Sequence, residues 1–222
     1  MLTESGESAG TLSALRSGAG GVIDKPVRGE QIRELAQRYE ALREEPSEPS
    51  GYLVAGLVDH LDVRMLLGND TAMVTPATHL FTRFLEPFFD ESDRTSIRLG
   101  LYEILINAIE HGSLEIDFET KTKALEQEHY LHVLQERRAE PRFADRSVTV
   151  EMKVEKGACR FIVTDEGNGF DWRHWMDGFD ELNIPGAHGR GILMTRFYFD
   201  EVHYNDHGNE VVLVKLMANG QP

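Results

Sequence analysis

Cysteine is almost absent from this chain of 222 residues: Cys159 is the only one, so no internal disulfide can form. Its flanks, Ala158-Cys159-Arg160-Phe161-Ile162-Val163, read as a buried strand thiol that packs as a small hydrophobe rather than a redox group. Positive charge is also scarce. Against 38 Asp and Glu stand 23 Lys and Arg, a formal net charge of -15, which repels phosphate backbones and anionic bilayers. No nucleic acid and no membrane is therefore expected as a partner; a protein or a metal-chelated nucleotide fits better. No stretch approaches the roughly 20 apolar residues of a membrane span. The start, Met1-Leu2-Thr3-Glu4-Ser5-Gly6, lacks a basic region leading into an apolar run. A cytoplasmic location is expected, and no internal repeat is visible.

What is present is enough apolar material, 41% of residues, for one sizeable core and a smaller appendage. The run Glu44-Glu45-Pro46-Ser47-Glu48-Pro49-Ser50-Gly51 has linker composition. It divides an arm (1–45), by way of a linker (46–52), from a main domain (53–222). In the arm, residues 10–19 read as a short helix and 21–24 as a strand. Residues 29–43 read as an amphipathic helix whose Ile32, Leu35, Tyr39 and Leu42 stripe needs a partner.

In the main domain a strand is expected at 64–67, and a helix at 76–89 with Leu80, Phe84 and Phe88 on one stripe. A second helix, 96–111, turns Ile97, Leu101, Ile104, Leu105 and Ala108 inward and stops at Gly112. The highly charged segment 117–138, with only Leu125, Leu131 and Leu134 as apolar content, reads as an exposed helix or helix pair. Strands follow at 148–154, 159–165 and 210–216, with a helix at 192–199 before the last. His129 and His132 lie beside Glu128, but no third ligand of suitable spacing follows and no metal is expected there.

Three local patterns carry chemistry. Glu103 and Asn107 project from one helix face a turn apart, so they line a cavity or form a surface stripe. Thr164-Asp165-Glu166-Gly167-Asn168-Gly169-Phe170 puts an aspartate at a strand end before two glycines, suiting a tight turn or close backbone approach to a ligand. His188-Gly189-Arg190-Gly191 opens a helix whose N–H groups can face an anion. Each pattern alone is common. Their combination and order are far more specific.

The succession Glu-x-x-x-Asn-Ala, Asp-x-Gly-x-Gly and Gly-x-Gly resembles the N, G1 and G2 boxes of GHKL (histidine-kinase-like) ATPases. Gly208-Asn209-Glu210-Val211-Val212-Leu213-Val214-Lys215 looks like that family's last strand. Asn107-Ala108, His111-Gly112 and Gly189-Arg190-Gly191 lean toward its anti-sigma-factor serine kinases. The resemblance implies an α/β fold: a two-layer sandwich, a mixed sheet with helices on one face. It also implies ATP and Mg²⁺ as cofactors. Asp165 would accept from the adenine amine and so reject guanine, with Gly167 and Gly169 bordering the base. Asn107 would ligate Mg²⁺ through its amide oxygen, and Glu103 would take the proton of an incoming hydroxyl. His111 falls among the nucleotide-binding positions. Gly189 and Gly191 would bring backbone amides to the phosphates, and Arg190 would either neutralise γ-phosphate charge or face solvent.

Residues 170–187, with Asp171, Trp172, Trp175, Gly178 and Pro185-Gly186, take the place of the ATP lid. The insertion at 117–146 departs from the shortest members of the family. The function implied is phosphorylation of a serine or threonine on a small antagonist, an anti-anti-sigma protein of STAS type, with a sigma factor or similar regulator as the sequestered target. An ATP-gated binding module and an ATP hydrolase are the alternatives. No histidine sits in a phosphoacceptor box, which argues against a sensor histidine kinase. The arm resembles the end of a response-regulator receiver domain: Leu2-Thr3 its fourth strand, the strand into Lys25-Pro26 its fifth and 29–43 its last helix. Lys25 would be its phosphate-contacting lysine. The half that carries the phosphoacceptor aspartate is missing, so the arm is expected to be a remnant or an element for homodimer formation.

Overall fold

A computed structural model describes residues 2–3, 23–24, 29, 32, 36, 60–155, 157–173 and 190–217, the side chains of 2, 3, 23, 24, 190, 192 and 193 excepted. The expected helix at 10–19, the linker, the lid from 174 onward and Gly189 lie outside the described residues. In the arm, β1 (Leu2–Thr3) and β2 (Ile23–Asp24) pair in parallel. Of the helix expected at 29–43, Gly29, Ile32 and Ala36 are helical and exposed.

The main domain opens with β3 (Leu61–Leu67), α1 (Val74–Phe84) and α2 (Glu91–Asn107), and α2 runs on as a π-turn over Ala108–Ser113. Next come α3 (Phe118–Glu126), α4 (Tyr130–Ala139) and the single turn α5 (Pro141–Ala144). The chain closes with β4 (Val148–Glu155), β5 (Ala158–Asp165), α6 (Arg190–Tyr198), β6 (Glu201–Tyr204) and β7 (Glu210–Leu216).

Strands β3 to β7 form one open sheet in the order β3-β4-β5-β7-β6. The two-layer α/β sandwich is the observed architecture. The expectation of a mixed sheet is corrected, because every pairing in this sheet is antiparallel. The reason is topological: β6 runs parallel to β5, but β7 turns back and inserts between them, so the parallel strands never share hydrogen bonds.

Alternation along β4 buries Val148, Val150, Met152 and Val154, and the same face carries Cys159, Phe161, Val163, Val211 and Leu213. The helical layer packs there, with Phe81 of α1 edge-on to Phe161 at 5.8 Å and Phe199, just past α6, at 6.2 Å. Opposite-charge pairs cross β3 and β4, Arg64 to Glu151 at 3.7 Å and Asp62 to Lys153 at 3.8 Å. Burial pushes the Cys159 thiol well above its ordinary range, as suits an inert core group.

Helix α2 begins earlier than expected. Asp90 caps it by accepting from Asp93 N–H at 2.8 Å, and Glu91 and Asp93 sit in its positive first turn. Its inward face is the expected one, with Ile97, Leu101, Ile104, Leu105 and Ala108 buried. The stripe assigned to α1 is corrected. Leu80 and Phe84 are 41% and 37% exposed, while Val74, Ala77, Thr78, Phe81 and Thr82 are buried. Phe88 is buried but lies past the helix. The inward face contains threonines whose hydroxyls bond back to carbonyls, Thr78 to Thr75 at 2.9 Å and Thr82 to Thr78 at 3.0 Å, so hydrophobicity alone points to the wrong side.

Candidate functional site

The π-turn after α2 brings the first two chemical patterns together. A cavity of about 370 Å³ opens between this turn, the end of β5 and the start of β7, a size typical of small-ligand sites. Asp165 stands on its wall. Its Oδ1 accepts from Gly167 N–H at 2.8 Å, and its backbone N–H donates to the Asn209 carbonyl at 2.9 Å. Asn209 Nδ2 donates in return to the Asp165 carbonyl at 3.2 Å. A Cβ on Gly112 would overlap the Asp165 carboxylate, and one on Gly167 would overlap the Gly112 carbonyl. Both positions therefore require glycine because backbone and carboxylate meet there with no room for a side chain. Gly169 adopts φ 70°, in the left-handed region, where the loop turns against His207.

Burial raises the Asp165 pKa to about 6, against the opposing pull of the Gly167 N–H and the Arg146 guanidinium. Above that pH the group is a carboxylate acceptor on a largely apolar wall. Ile104, Ala108, Val163 and Val211 line the same cavity.

Glu103 and Asn107 stand one turn apart on α2. Both are half-buried on α2, and Asn107 lines the cavity. Glu103 does not line it; its carboxylate faces the first turn of α6. A Cβ built on Gly191 would lie 2.8 Å from Glu103 Oε2 and 3.4 Å from Asn107 Nδ2. The first and third patterns of the sequence thus meet at one point. Of the third, Gly189 and the Arg190 side chain lie outside the described residues.

His111 lines the cavity from within the π-turn. Its Nδ1–H donates to the Ile116 carbonyl at 2.5 Å, and its ring lies 4.3 Å from that of Phe118, tilted by 44°. Desolvation holds its pKa below the usual histidine value, so the ring is neutral and Nε2 remains an acceptor. Regular helix breaks into a π-turn at the site itself, a common location for such breaks.

Sequence reasoning missed several contributors. Tyr204, Asn205 and Asn209 belong to the β6–β7 hairpin, and β6 itself was not expected because it is a four-residue edge strand with exposed Glu201 and His203. Asn205 Oδ1 accepts from Gly208 N–H at 2.7 Å and Asn209 N–H at 3.2 Å, which fixes the residue that grips Asp165. Tyr204 packs between Phe170 at 5.5 Å and Trp172 at 5.9 Å, and burial pushes its hydroxyl pKa up. The Asn-x-x-Gly-Asn spacing was the available signal for this turn.

The cavity thus carries the half-buried Asp165 carboxylate on its wall and is lined by Asn107, with Glu103 a turn before Asn107 and facing the start of α6. The sequence profile of the histidine kinase-like ATPase domain matches residues 67–215, and the chain belongs to that family. No curated protein sequence matches the chain. Among the described residues, no helix is long and apolar enough to cross a membrane.

Proposed function

We propose that the chain is an ATP-dependent protein serine/threonine kinase of the anti-sigma-factor type. It transfers the γ-phosphoryl of ATP to a hydroxyl on a small STAS-type antagonist and, when unopposed, holds a sigma factor or similar regulator. The observation that carries this reading is the meeting of Glu103 and Asn107 with Gly191. A domain that only senses ATP needs no carboxylate at that point, whereas phosphoryl transfer needs one to receive the acceptor's proton.

The residues present fit the nucleotide. The Asp165 carboxylate, held by the Gly167 N–H, accepts from an exocyclic amine and rejects the oxygen that guanine offers in its place. The apolar cavity beside Asp165, lined by Ile104, Ala108, Val163 and Val211, suits a flat base. Asn107 would hold Mg²⁺ through its amide oxygen, and the ion would neutralise phosphate charge. Gly191, with Gly189 and Arg190 before it, would turn backbone N–H groups toward the phosphates. Glu103 takes the proton from the serine or threonine hydroxyl as the new O–P bond forms and ADP departs.

The arm is read as the end of a receiver domain, a reading supported by the parallel pairing of Leu2 with Ile23 and Thr3 with Asp24, and as an element for homodimer formation. The decisive experiment incubates the full chain with labelled MgATP and candidate antagonists encoded in its operon, then maps phosphosites. Phosphoserine or phosphothreonine on one antagonist is expected. ATP binding without transfer to any of them would replace the kinase by a nucleotide-gated binding module, and phosphate release without a protein acceptor would make it a hydrolase.

A further inference from the structure

The charged segment 117–138 reads from sequence as an exposed helix or helix pair, yet the start of the insertion at 117–146 lines the cavity through Asp117 and Phe118. After the π-turn the chain doubles back under the cavity. Leu114 and Ile116 are fully buried, and Ile116 N–H donates to the Glu110 carbonyl at 2.8 Å. Ile116, Asp117 and Phe118 then form part of the cavity wall, together with Val163, Tyr204 and Val211.

Ties at both ends hold this wall. At the start, Lys121 Nζ pairs with Glu110 Oε2 at 2.7 Å, where the glutamate side chain is only 6% exposed, and the ammonium lies 5.6 Å from the Tyr130 ring centre. At the end, Arg146 Nη1 donates to Glu115 Oε1 at 2.8 Å and to the Ser113 carbonyl at 3.1 Å. The same Glu115 oxygen accepts from Asn168 Nδ2 at 2.7 Å, so the glycine loop after Asp165 shares a carboxylate with the insertion. Ser147 N–H donates to Glu166 at 2.6 Å.

We propose that the insertion is a nucleotide-sensing wall: Phe118, packed at a tilt against His111, contacts the bound adenine nucleotide, and Lys121 is the positioning residue that holds that ring in place. A ligand that packs against Phe118 stabilises α3, and by reciprocity whatever loosens α3 weakens the ligand. This inference rests on the ATP-binding reading of the cavity.

The test measures MgATP affinity by calorimetry and amide exchange of α3 with and without MgATP, on the full chain. Wild type is expected to bind and to slow exchange in α3. Phe118→Ala should lose about tenfold in affinity, the scale of one aromatic contact, and lose the exchange response. Lys121→Met, at a residue that does not line the cavity, should give a smaller loss of the same kind, and Lys121→Arg should restore both readouts. Variants that bind like wild type, or wild-type binding that leaves α3 exchange unchanged, would overturn the proposal while leaving ATP binding intact. If wild type itself fails to bind, the ATP reading of the cavity fails first. Should Phe118→Ala not fold, Phe118→Leu, which keeps apolar volume without the ring face, decides the matter by the same two readouts.

Discussion

The Asp165 and Glu103 ends of the site are built differently. At the Asp165 end, backbone, glycine and carboxylate interlock: Gly112 and Gly167 admit no side chain, and Asn209 grips the aspartate's peptide groups. At the Glu103 end, two half-buried side chains on α2 stand beside the first turn of α6. On the proposed reading the contrast separates recognition from chemistry: a backbone socket would discriminate a flat base by position, while side chains on a helix face can be altered singly without disturbing the socket.

Breaking the Glu103 end should produce the largest effect. Glu103→Ala is expected to lower phosphoryl transfer on the order of 10²-fold or more, the scale of a lost general base, with MgATP affinity nearly unchanged. Asn107→Ala should instead weaken magnesium-dependent binding and turnover together. Affinities with and without Mg²⁺, beside single-turnover transfer rates, separate the two. Equal loss of binding in both would make Glu103 a structural or metal-bound group.

Filling the socket comes next. Gly112→Ala places a methyl on the Asp165 carboxylate and should cost about 1–3 kcal/mol in stability or binding, as overpacking does. Chemical denaturation and ATP titration would apportion the loss, and a variant matching wild type in both would refute the close approach. Asp165→Asn keeps the shape and removes the charge. It should weaken ATP by roughly 1–3 kcal/mol and relax discrimination against GTP; titrations with both nucleotides check this.

The smallest effect is in pH. With a folded pKa of about 6 against an ordinary 3.8, folded Asp165 binds its proton more tightly than the unfolded chain does. Its contribution to stability of the ligand-free protein therefore falls as pH rises from about 4 to about 6, by at most about 3 kcal/mol, and is level above. ATP affinity should move the opposite way, weakening as pH falls below 6 because the ionised acceptor is lost. In Asp165→Asn both dependences should vanish from melting and titration curves taken across that range.

Much of the fold was legible because α2, β4, β5 and β7 obey single periodicities, with Ile97, Leu101, Ile104 and Leu105 on one stripe and Val148, Val150, Met152 and Val154 in strict alternation. Where local pattern and packing part company, sequence reading failed. Thr78 and Thr82 bury polar atoms on the core side of α1, leaving Leu80 and Phe84 outside, because a hydroxyl bonded to its own helix is satisfied without water. The antiparallel sheet depended on where β7 inserts, which is a long-range choice.

The same division holds at the site. Local chemistry is written in the chain: a helix sets Glu103 and Asn107 one turn apart whatever surrounds it, and a strand end followed by glycines exposes Asp165. Only the folded chain brings Gly112 against Asp165, Gly191 against Glu103, and Phe118 onto His111, since these pairs are from 7 to 88 residues apart and meet through packing of the helical layer on the sheet. Glycine at 112 is a helix stop by local rules. In the folded protein it is the one residue small enough to let the π-turn reach the half-buried Asp165 carboxylate, and the reason lies 53 residues further along the chain.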